Sequence, residues 1–413
     1  MKFLLLTIII LKNIFVFFLN IKEKLYIQKH SKNIPENFKD VLDESKFSIS
    51  NSYNIEKLNF SNISLIFSQT ILLIFIFSPL LNLFSSYFDK LNTIYILKSL
   101  SFFSFLIIIS TLFSLPFDFY FHFKIEKKYG FLKYKISGWL KDKLKELLIN
   151  LVLTNIFVLV LIGIVGKNFY FSPLKILGIT IIFVFLLVLF TFIVPIILIP
   201  FMYKTEKLKD EKLMSKIKEL IEKSGYTFDG VYVIRESEKS THSNAMFTGI
   251  GIKKRVILFD NLLSKFSEDE ILGVVAHEIG HGKLAHIKKF LILNIVAIFL
   301  FIIASFSILS NDYIYKIFSV PLNSFTGIFL LSILTSELIL YFFNPLLNSI
   351  SRRFEFEADN FSKNLMKDKT PIIKALKKLA FEELSSINVD PVYEFFYYSH
   401  PTLEKRILNL QKD

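Results

Sequence analysis

Seven apolar runs set the terms on which this chain can fold. They lie at residues 3–19 and near 64–85, 97–118, 147–166, 176–201, 288–309 and 326–348. Each is long enough for a helix to cross a hydrocarbon core of about 30 Å. Lipid offers the backbone no hydrogen-bond partner, so runs of this kind become helices that satisfy themselves. Hydrophobic residues make up 53% of the sequence, Phe alone numbers 48, and mean hydropathy is +0.50. A soluble fold has no interior large enough for that much apolar surface. The expectation is an α-helical, multi-pass integral membrane protein seated in a lipid bilayer.

The first run is interrupted by Lys12 and Asn13, and no small-residue cleavage site follows it, since the next residues are Asn20-Ile21-Lys22-Glu23. It reads as an uncleaved first span. Pro195 and Pro200 predict a kink near the end of span five. Loop charge sets orientation. Fifteen lysines fall in loops 21–63 and 121–145, against four in the alternate loops. By the positive-inside rule, loops after odd-numbered spans face the cytoplasm. This distribution explains the net charge of +13 without a nucleic-acid partner. Cysteine is absent, which excludes disulfides, thiolate metal sites and Cys nucleophiles.

The chain divides into spans one to five (1–201), a polar insertion (202–286), spans six and seven (287–350) and a C-terminal segment (351–413). In the insertion, residues 206–224 read as an amphipathic helix ended by Gly225. Phe228–Ile234, Asn244–Gly249 and Arg255–Phe259 read as strands. Ser267-Glu268-Asp269-Glu270 is a capping box opening a further helix, with Ile271, Leu272, Val274 and Val275 on its apolar side; this helix is expected to run on into span six. Among polar residues inside spans are Asn150, Asn155, Asn294, Asn344 and Glu337. Each Asn suits a helix–helix hydrogen bond or a cavity equally well. Glu337 points more strongly to an internal polar cavity.

The capped helix carries Ala276-His277-Glu278-Ile279-Gly280-His281, an H-E-x-x-H sequence. Four residues apart on a helix, His277 and His281 project from one face and suit one zinc ion, while Glu278 reaches the metal's water as general base. With no Cys available, a third ligand must be His or carboxylate, the pattern of a catalytic rather than a structural zinc. It must also come from the cytoplasmic side. The segment after span seven meets that condition with Ser351-Arg352-Arg353-Phe354-Glu355-Phe356-Glu357-Ala358-Asp359. Glu355 and Asp359 share a helix face. Glu355 is the favoured ligand and Asp359 a partner for a ligand imidazole, with Glu357 and Asp359 as the alternative ligands. Glu357 points elsewhere by helical phase. By the same phase His286 lies out of reach, and His242, His122 and His30 are given no role.

These residues, with Leu115-Pro116-Phe117 through Gly130-Phe131, Ser243-Asn244-Ala245, Lys254–Asp260, Gly282–His286 and Ser399-His400-Pro401-Thr402-Leu403-Glu404-Lys405-Arg406-Ile407, make the chain resemble the integral-membrane zinc endopeptidases called type-I CAAX prenyl proteases. The resemblance spans most of the length. It implies seven helices around a water-filled chamber, closed on the cytoplasmic side by a small α+β zinc-protease domain. It implies one zinc held by His277, His281 and Glu355, with Glu278 as general base and acid and Asp359 bonded to a ligand. It places His400 and Arg406 at the substrate site, His400 for the oxyanion and Arg406 for a carboxylate, structural or from the substrate. It puts Asn244 on a strand that binds peptide by strand addition. Asp260 and His277 are only seventeen positions apart, which resembles prokaryotic members and implies a bacterial cytoplasmic membrane rather than the endoplasmic reticulum.

The function expected is hydrolysis of peptide bonds near the C-terminus of CAAX-type, lipidated or otherwise hydrophobic peptides. The alternatives are a quality-control protease of broad specificity, and a non-catalytic scaffold or transporter with a structural zinc. Against the last stands Glu278, which a structural site does not need.

Overall fold

The computed structural model describes residues 2–165, 173–192, 199–225, 229–248, 255–309, 312–320 and 324–412. It is mostly helical. The N-terminal half runs through α1 (Lys2–Lys29), α2 (Glu44–Phe77), α3 (Leu80–Asp89), α4 (Tyr95–Tyr120), α5 (Ile136–Val165) and α6 (Pro173–Phe192). A π-turn, Phe121–Glu126, extends α4. Five helices in the described residues are long and apolar enough to cross a membrane: Lys2–Lys29, Glu44–Phe77, Tyr95–Glu126, Ile136–Ile164 and His286–Ala304. Two shorter apolar helices, Ile176–Leu189 and Phe325–Thr335, fall within expected spans five and seven. Outward side chains such as Leu11, Ile14, Ile63 and Phe185 are exposed, as lipid-facing positions must be.

Several elements differ from expectation. The second span is not one helix: α2 stops at Phe77, because Pro79 lacks the N–H needed to continue the ladder, and α3 restarts after it. The supposed loop 21–63 is largely helical, since α1 and α2 extend beyond the lipid-length runs at Lys29 and Glu44. Asp43 starts α2 by accepting from the Lys46 N–H at 2.7 Å. Pro195 and the kink expected there lie outside the described residues.

Several polar groups inside the bundle are paired. Asn20 donates to Asn62 at 2.7 Å, joining α1 to α2. Asn155 donates to the Ser104 hydroxyl at 2.9 Å, joining α5 to α4. Glu337, expected to mark a cavity, instead forms an ion pair with Lys12 from the first span. It lies in a π-turn, Ser336–Leu340, between α12 (Phe325–Thr335) and α13 (Tyr341–Met366). The residue that interrupts the first apolar run is therefore matched by the acid of the last. Phenylalanines fill the rest: Phe102 and Phe325, both fully buried, meet at 4.9 Å between ring centroids.

The polar insertion folds into a four-stranded sheet and helices. The strands are β1 (Thr205–Lys207), β2 (Gly230–Ile234), β3 (Ala245–Thr248) and β4 (Arg255–Phe259), in the order β1-β2-β4-β3. The strand β2 is parallel to β4, and both edge strands are antiparallel to their neighbours. The helix expected from 206 starts later, as α7 (Glu211–Lys223), where Asp210 accepts from Leu213 N–H at 2.9 Å. The short polar strand β1 precedes it, and an edge strand of three residues leaves no periodicity to read. Phe228 lies outside the described residues.

After β4 come α8 (Asp260–Lys265) and α9 (Glu268–Lys283). The capping box forms in full: Ser267 accepts from Glu270 N–H and Glu270 from Ser267 N–H. The helix does not run on into span six. It ends at Leu284, Ala285 takes a left-handed φ of 58°, and α10 (His286–Leu309) begins anew. The chain then passes through α11 (Asp312–Phe318), α12 and α13, and closes with α14 (Thr370–Glu382), α15 (Pro391–Tyr397) and α16 (Leu403–Gln411).

Segments far apart in sequence build one core under the sheet. Ile271, Val275, Ala276 and Ile279 of α9 pack with Ile217 and Ile221 of α7, Val256 and Leu258 of β4, and Ala375 of α14. Two glycines let α9 approach its neighbours. A Cβ on Gly280 would stand 3.2 Å from Ala358 of α13, and one on Gly273 would stand 2.8 Å from the Ile372 nitrogen of α14. The second contact is closer than real Cβ atoms come. Ser362 of α13 reinforces the packing by donating to the Gly273 carbonyl at 3.0 Å.

Candidate metal centre and active site

Gly280 lies between the two histidines of the α9 motif, so the tight α9–α13 crossing occurs at the motif itself. It brings Glu355 opposite His277 and His281. The two Nε2 atoms are 3.1 Å apart. Glu355 Oε2 is 3.4 Å from His277 Nε2, and Glu355 Oε1 is 3.3 Å from His281 Nε2. A tetrahedral ion with bonds of about 2.0–2.1 Å places its ligands roughly 3.3 Å apart. Glu355 meets each imidazole through a different oxygen, and one ligand atom from each of the three residues lies within 4.8 Å of the other two. Among the described residues, these three are the group of His and carboxylate side chains close enough to share a cation. Glu355 Oε2 is buried without a hydrogen bond, with Arg406 Nη1 in ion-pair range at 3.4 Å.

The other ring nitrogen of His277 is also held. Its Nδ1 lies 2.9 Å from Asp359 Oδ1. Asp359 is fully buried and takes two bonds from Arg406, from Nε at 2.8 Å and from Nη2 at 2.6 Å. Of the two carboxylates open to Arg406, structural or substrate, the structure supplies the structural one. Arg406 stands on the first turn of α16, where Thr402 accepts from Lys405 N–H at 3.4 Å. His400 precedes that cap. Its Nε2 is 3.3 Å from Glu355 Oε1, and the ring is largely exposed.

These contacts shift protonation. Burial works to lower the His277 imidazole, but Asp359 and Glu355 reverse this and raise it to about 9. Burial would raise Glu355, yet His277 and His281 hold it well below the usual carboxylate range. Asp359, likewise opposed by burial, is held down at about 2 by Arg406 and His277. Glu278 moves the other way, pushed up mainly by burial.

A cavity of about 490 Å³ opens on this cluster. Glu278 and His400 line it beside the His277–His281–Glu355 group. On one wall lie Asn244 and Met246, at the start of β3 and within it. On another lie Phe290 and Asn294 of α10, so the cavity reaches from the polar domain into a spanning helix. Asn244 is exposed, and its carbonyl accepts from Phe259 N–H at 3.0 Å. Among the described residues β3 pairs only with β4, which leaves its outer edge open to an added strand.

Two histidines given no role have close partners. His286 Nδ1 is 3.0 Å from His281 Nδ1, and His286 Nε2 is 3.1 Å from Glu357 Oε2. His286 stays outside the group that could share a cation, and the break at Ala285 instead lets it meet His281 from behind. His242 is clamped between Glu126, at 3.0 Å, and Glu383. No local signal marks either; both depend on contacts between separate elements.

A chain with at least five membrane-length helices and an H-E-x-x-H helix facing a distant carboxylate defines a class, the integral-membrane metallopeptidases. The comparisons agree. Residues 207–413 match peptidase family M48, and residues 23–204 match the CAAX prenyl protease N-terminal region with its five membrane helices. The chain belongs to peptidase family M48 and is a metalloendopeptidase of the membrane. CAAX prenyl protease 1 of Saccharomyces cerevisiae is 32% identical, over 91% of this chain and 88% of that protein. The human CAAX prenyl protease 1 homolog is 28% identical, over 93% and 90%. The crystal structure of S. mikatae Ste24p superposes with a TM-score of 0.88 at 29% identity, covering 99% of this chain and 98% of that one. These relatives are eukaryotic, and they lend no support to the bacterial membrane expected from the short Asp260–His277 spacing.

Proposed function

We propose that this protein is a zinc endopeptidase cutting near the C-terminus of CAAX-type peptides that carry a lipid or an apolar tail. The carrying observation is the single cavity that joins the His277–His281–Glu355 group to apolar side chains of a spanning helix. His277, His281 and Glu355 would hold the zinc. Zinc supplies Lewis acidity, which brings water at its open position from a pKa of about 15.7 to about 7. Glu278, raised by burial, takes the proton from the attacking water and returns it to the leaving amine. His400, on the open side of the cluster, donates to the oxyanion. Asp359 fixes the ring of His277, and Arg406 fixes Asp359. The peptide lies extended along β3, paired to its open edge with Asn244 at one end.

This site faces the cytoplasm, a reading supported by the lysine-rich segments 21–63 and 121–145. Seven helices ring an internal chamber. Supporting that reading is a further cavity among the helices, about 570 Å³, with Glu23 and Lys57 on its wall.

The test is cleavage of matched peptides with and without a farnesyl group, by the parent and Glu278→Gln. The parent is expected to prefer the lipidated peptide. Glu278→Gln is expected to keep its zinc and lose about 10²–10⁴-fold in rate. Full activity in that variant would remove Glu278 from the mechanism. Equal rates on both peptides would shift the reading to a protease of broad specificity.

A further inference from the structure

His281 is gripped on the face turned away from the metal position, and the grip has its own supporting chain. His286 is buried, at 2% exposure. Its ring stacks flat on Phe354, at 4.3 Å and 5°. Its Nδ1 faces His281 Nδ1 at 3.0 Å, and its Nε2 faces Glu357 Oε2 at 3.1 Å. Glu357 also accepts from Arg353 Nε at 3.1 Å, and Lys289 Nζ lies 3.9 Å away.

An unbroken helix cannot make this contact. Residues five apart are about 140° apart around the axis, given 3.6 residues per turn. The contact exists because Ala285 adopts a φ of 58°, a left-handed conformation that a residue with a Cβ rarely takes. That break ends α9 and swings the first residue of α10 back beneath His281.

We propose that His286 and Glu357 form a positioning relay that sets the tautomer and ring orientation of His281 as a metal ligand. This rests on the zinc-site reading above. The proton logic follows from the groups present. An ionised carboxylate only accepts, so Glu357 keeps a proton on His286 Nε2. The lone pair of His286 Nδ1 then accepts the proton of His281 Nδ1. His281 is left with Nε2 unprotonated, on the side where His277 Nε2 and Glu355 Oε1 converge. The relay does for His281 what Asp359 does for His277, with a neutral ring between ligand and carboxylate.

The test is the zinc affinity of the full chain in detergent, read by competition with a chelator, beside the melting of zinc-stripped protein. His286→Phe keeps a ring against Phe354 and removes the accepting nitrogen. It is expected to weaken zinc by about 10–100-fold, to shift the visible spectrum of the cobalt(II)-loaded protein, and to leave zinc-free melting unchanged. Glu357→Leu is expected to act in the same direction, and Glu357→Gln, which keeps an acceptor oxygen, to restore much of the loss. Parental zinc affinity in His286→Phe overturns the relay. Should that variant not fold, Glu357→Leu decides alone by the same measure. His281→Ala is the control. A parent that holds zinc no better than this control overturns the metal site itself, and the relay with it.

Discussion

His277 and His281 stand one turn apart on one helix and face one carboxylate, yet they are braced in opposite ways. Behind His277 lies an ionic lock: Asp359, fully buried, gripped twice by Arg406. Behind His281 lies a second imidazole, and only beyond it a carboxylate, Glu357, whose side chain is 32% exposed. A buried ion pair costs several kcal/mol per ion in lost hydration and repays this only when every partner is present. A neutral ring avoids that cost and can sit nearer solvent. The difference follows the fold. The His277 side is closed by α13 and α16, while the His281 side faces the start of a spanning helix, where the left-handed turn at Ala285 brings in His286 as the bracing group.

Removing one member from each side probes the contrast. Arg406→Ala should have the largest effect, because it removes both guanidinium bonds and leaves the buried Asp359 carboxylate with the His277 ring as its remaining partner. Loss of about 3–5 kcal/mol is expected, read as chemical or thermal unfolding in detergent. A loss under about 1 kcal/mol would mean the lock is not sealed from water. Asp359→Asn is milder, since it removes charge and keeps shape. It should weaken zinc about 10–100-fold and leave the melting less changed than in Arg406→Ala. Equal destabilisation by the two variants would show that the pair acts as one structural unit rather than as a ligand support.

The same contrast marks how far the sequence could be read. The H-E-x-x-H spacing and the Glu355–Asp359 spacing each follow from helical phase, so local pattern alone aligns these groups on their faces. Five of the seven apolar runs likewise foretell helices of membrane length. The break at Ala285 has no such signal. Alanine is the best helix former, and its left-handed conformation is imposed by packing. His286 and Glu357 therefore looked idle. Lys12 and Glu337 each appeared alone in an apolar run, and only the packing of the first helix against the last shows them as a pair. The strand β1 escaped because three polar residues at a sheet edge leave no alternation to detect.

Gly280 offers a smaller, sharper test, because it lies between both braced histidines. Gly280→Ala adds a Cβ 3.2 Å from the Ala358 backbone and from Phe361. The helix gains about 1 kcal/mol of propensity, which offsets much of the steric cost. Stability should change little, while zinc affinity falls because α13 and Glu355 are pushed away from both imidazoles. Unchanged affinity, measured by chelator competition, would mean that the crossing has room to spare.

The last comparison uses a third imidazole held by carboxylates but far from the cation site. His242 sits between Glu126 and Glu383, with Phe131 stacked on it at 4.4 Å. Tyr53 donates to Glu126 at 2.6 Å, and Lys57 adds positive charge nearby. Glu383 also accepts from Ser243 N–H at 2.7 Å, which anchors the residue before Asn244. Burial alone would lower His242, but Glu126 and Glu383 raise it to about 9. A raised value stabilises the fold fully below about 6.5, the ordinary value. That stabilisation is lost as pH climbs through about 9. The protein's melting temperature should therefore fall between pH 7 and 10, and KM for an extended peptide should rise as the β3 edge loosens. His242→Gln should flatten the melting profile and leave the zinc content unchanged. An identical pH slope in parent and variant would show that this imidazole holds nothing by its charge.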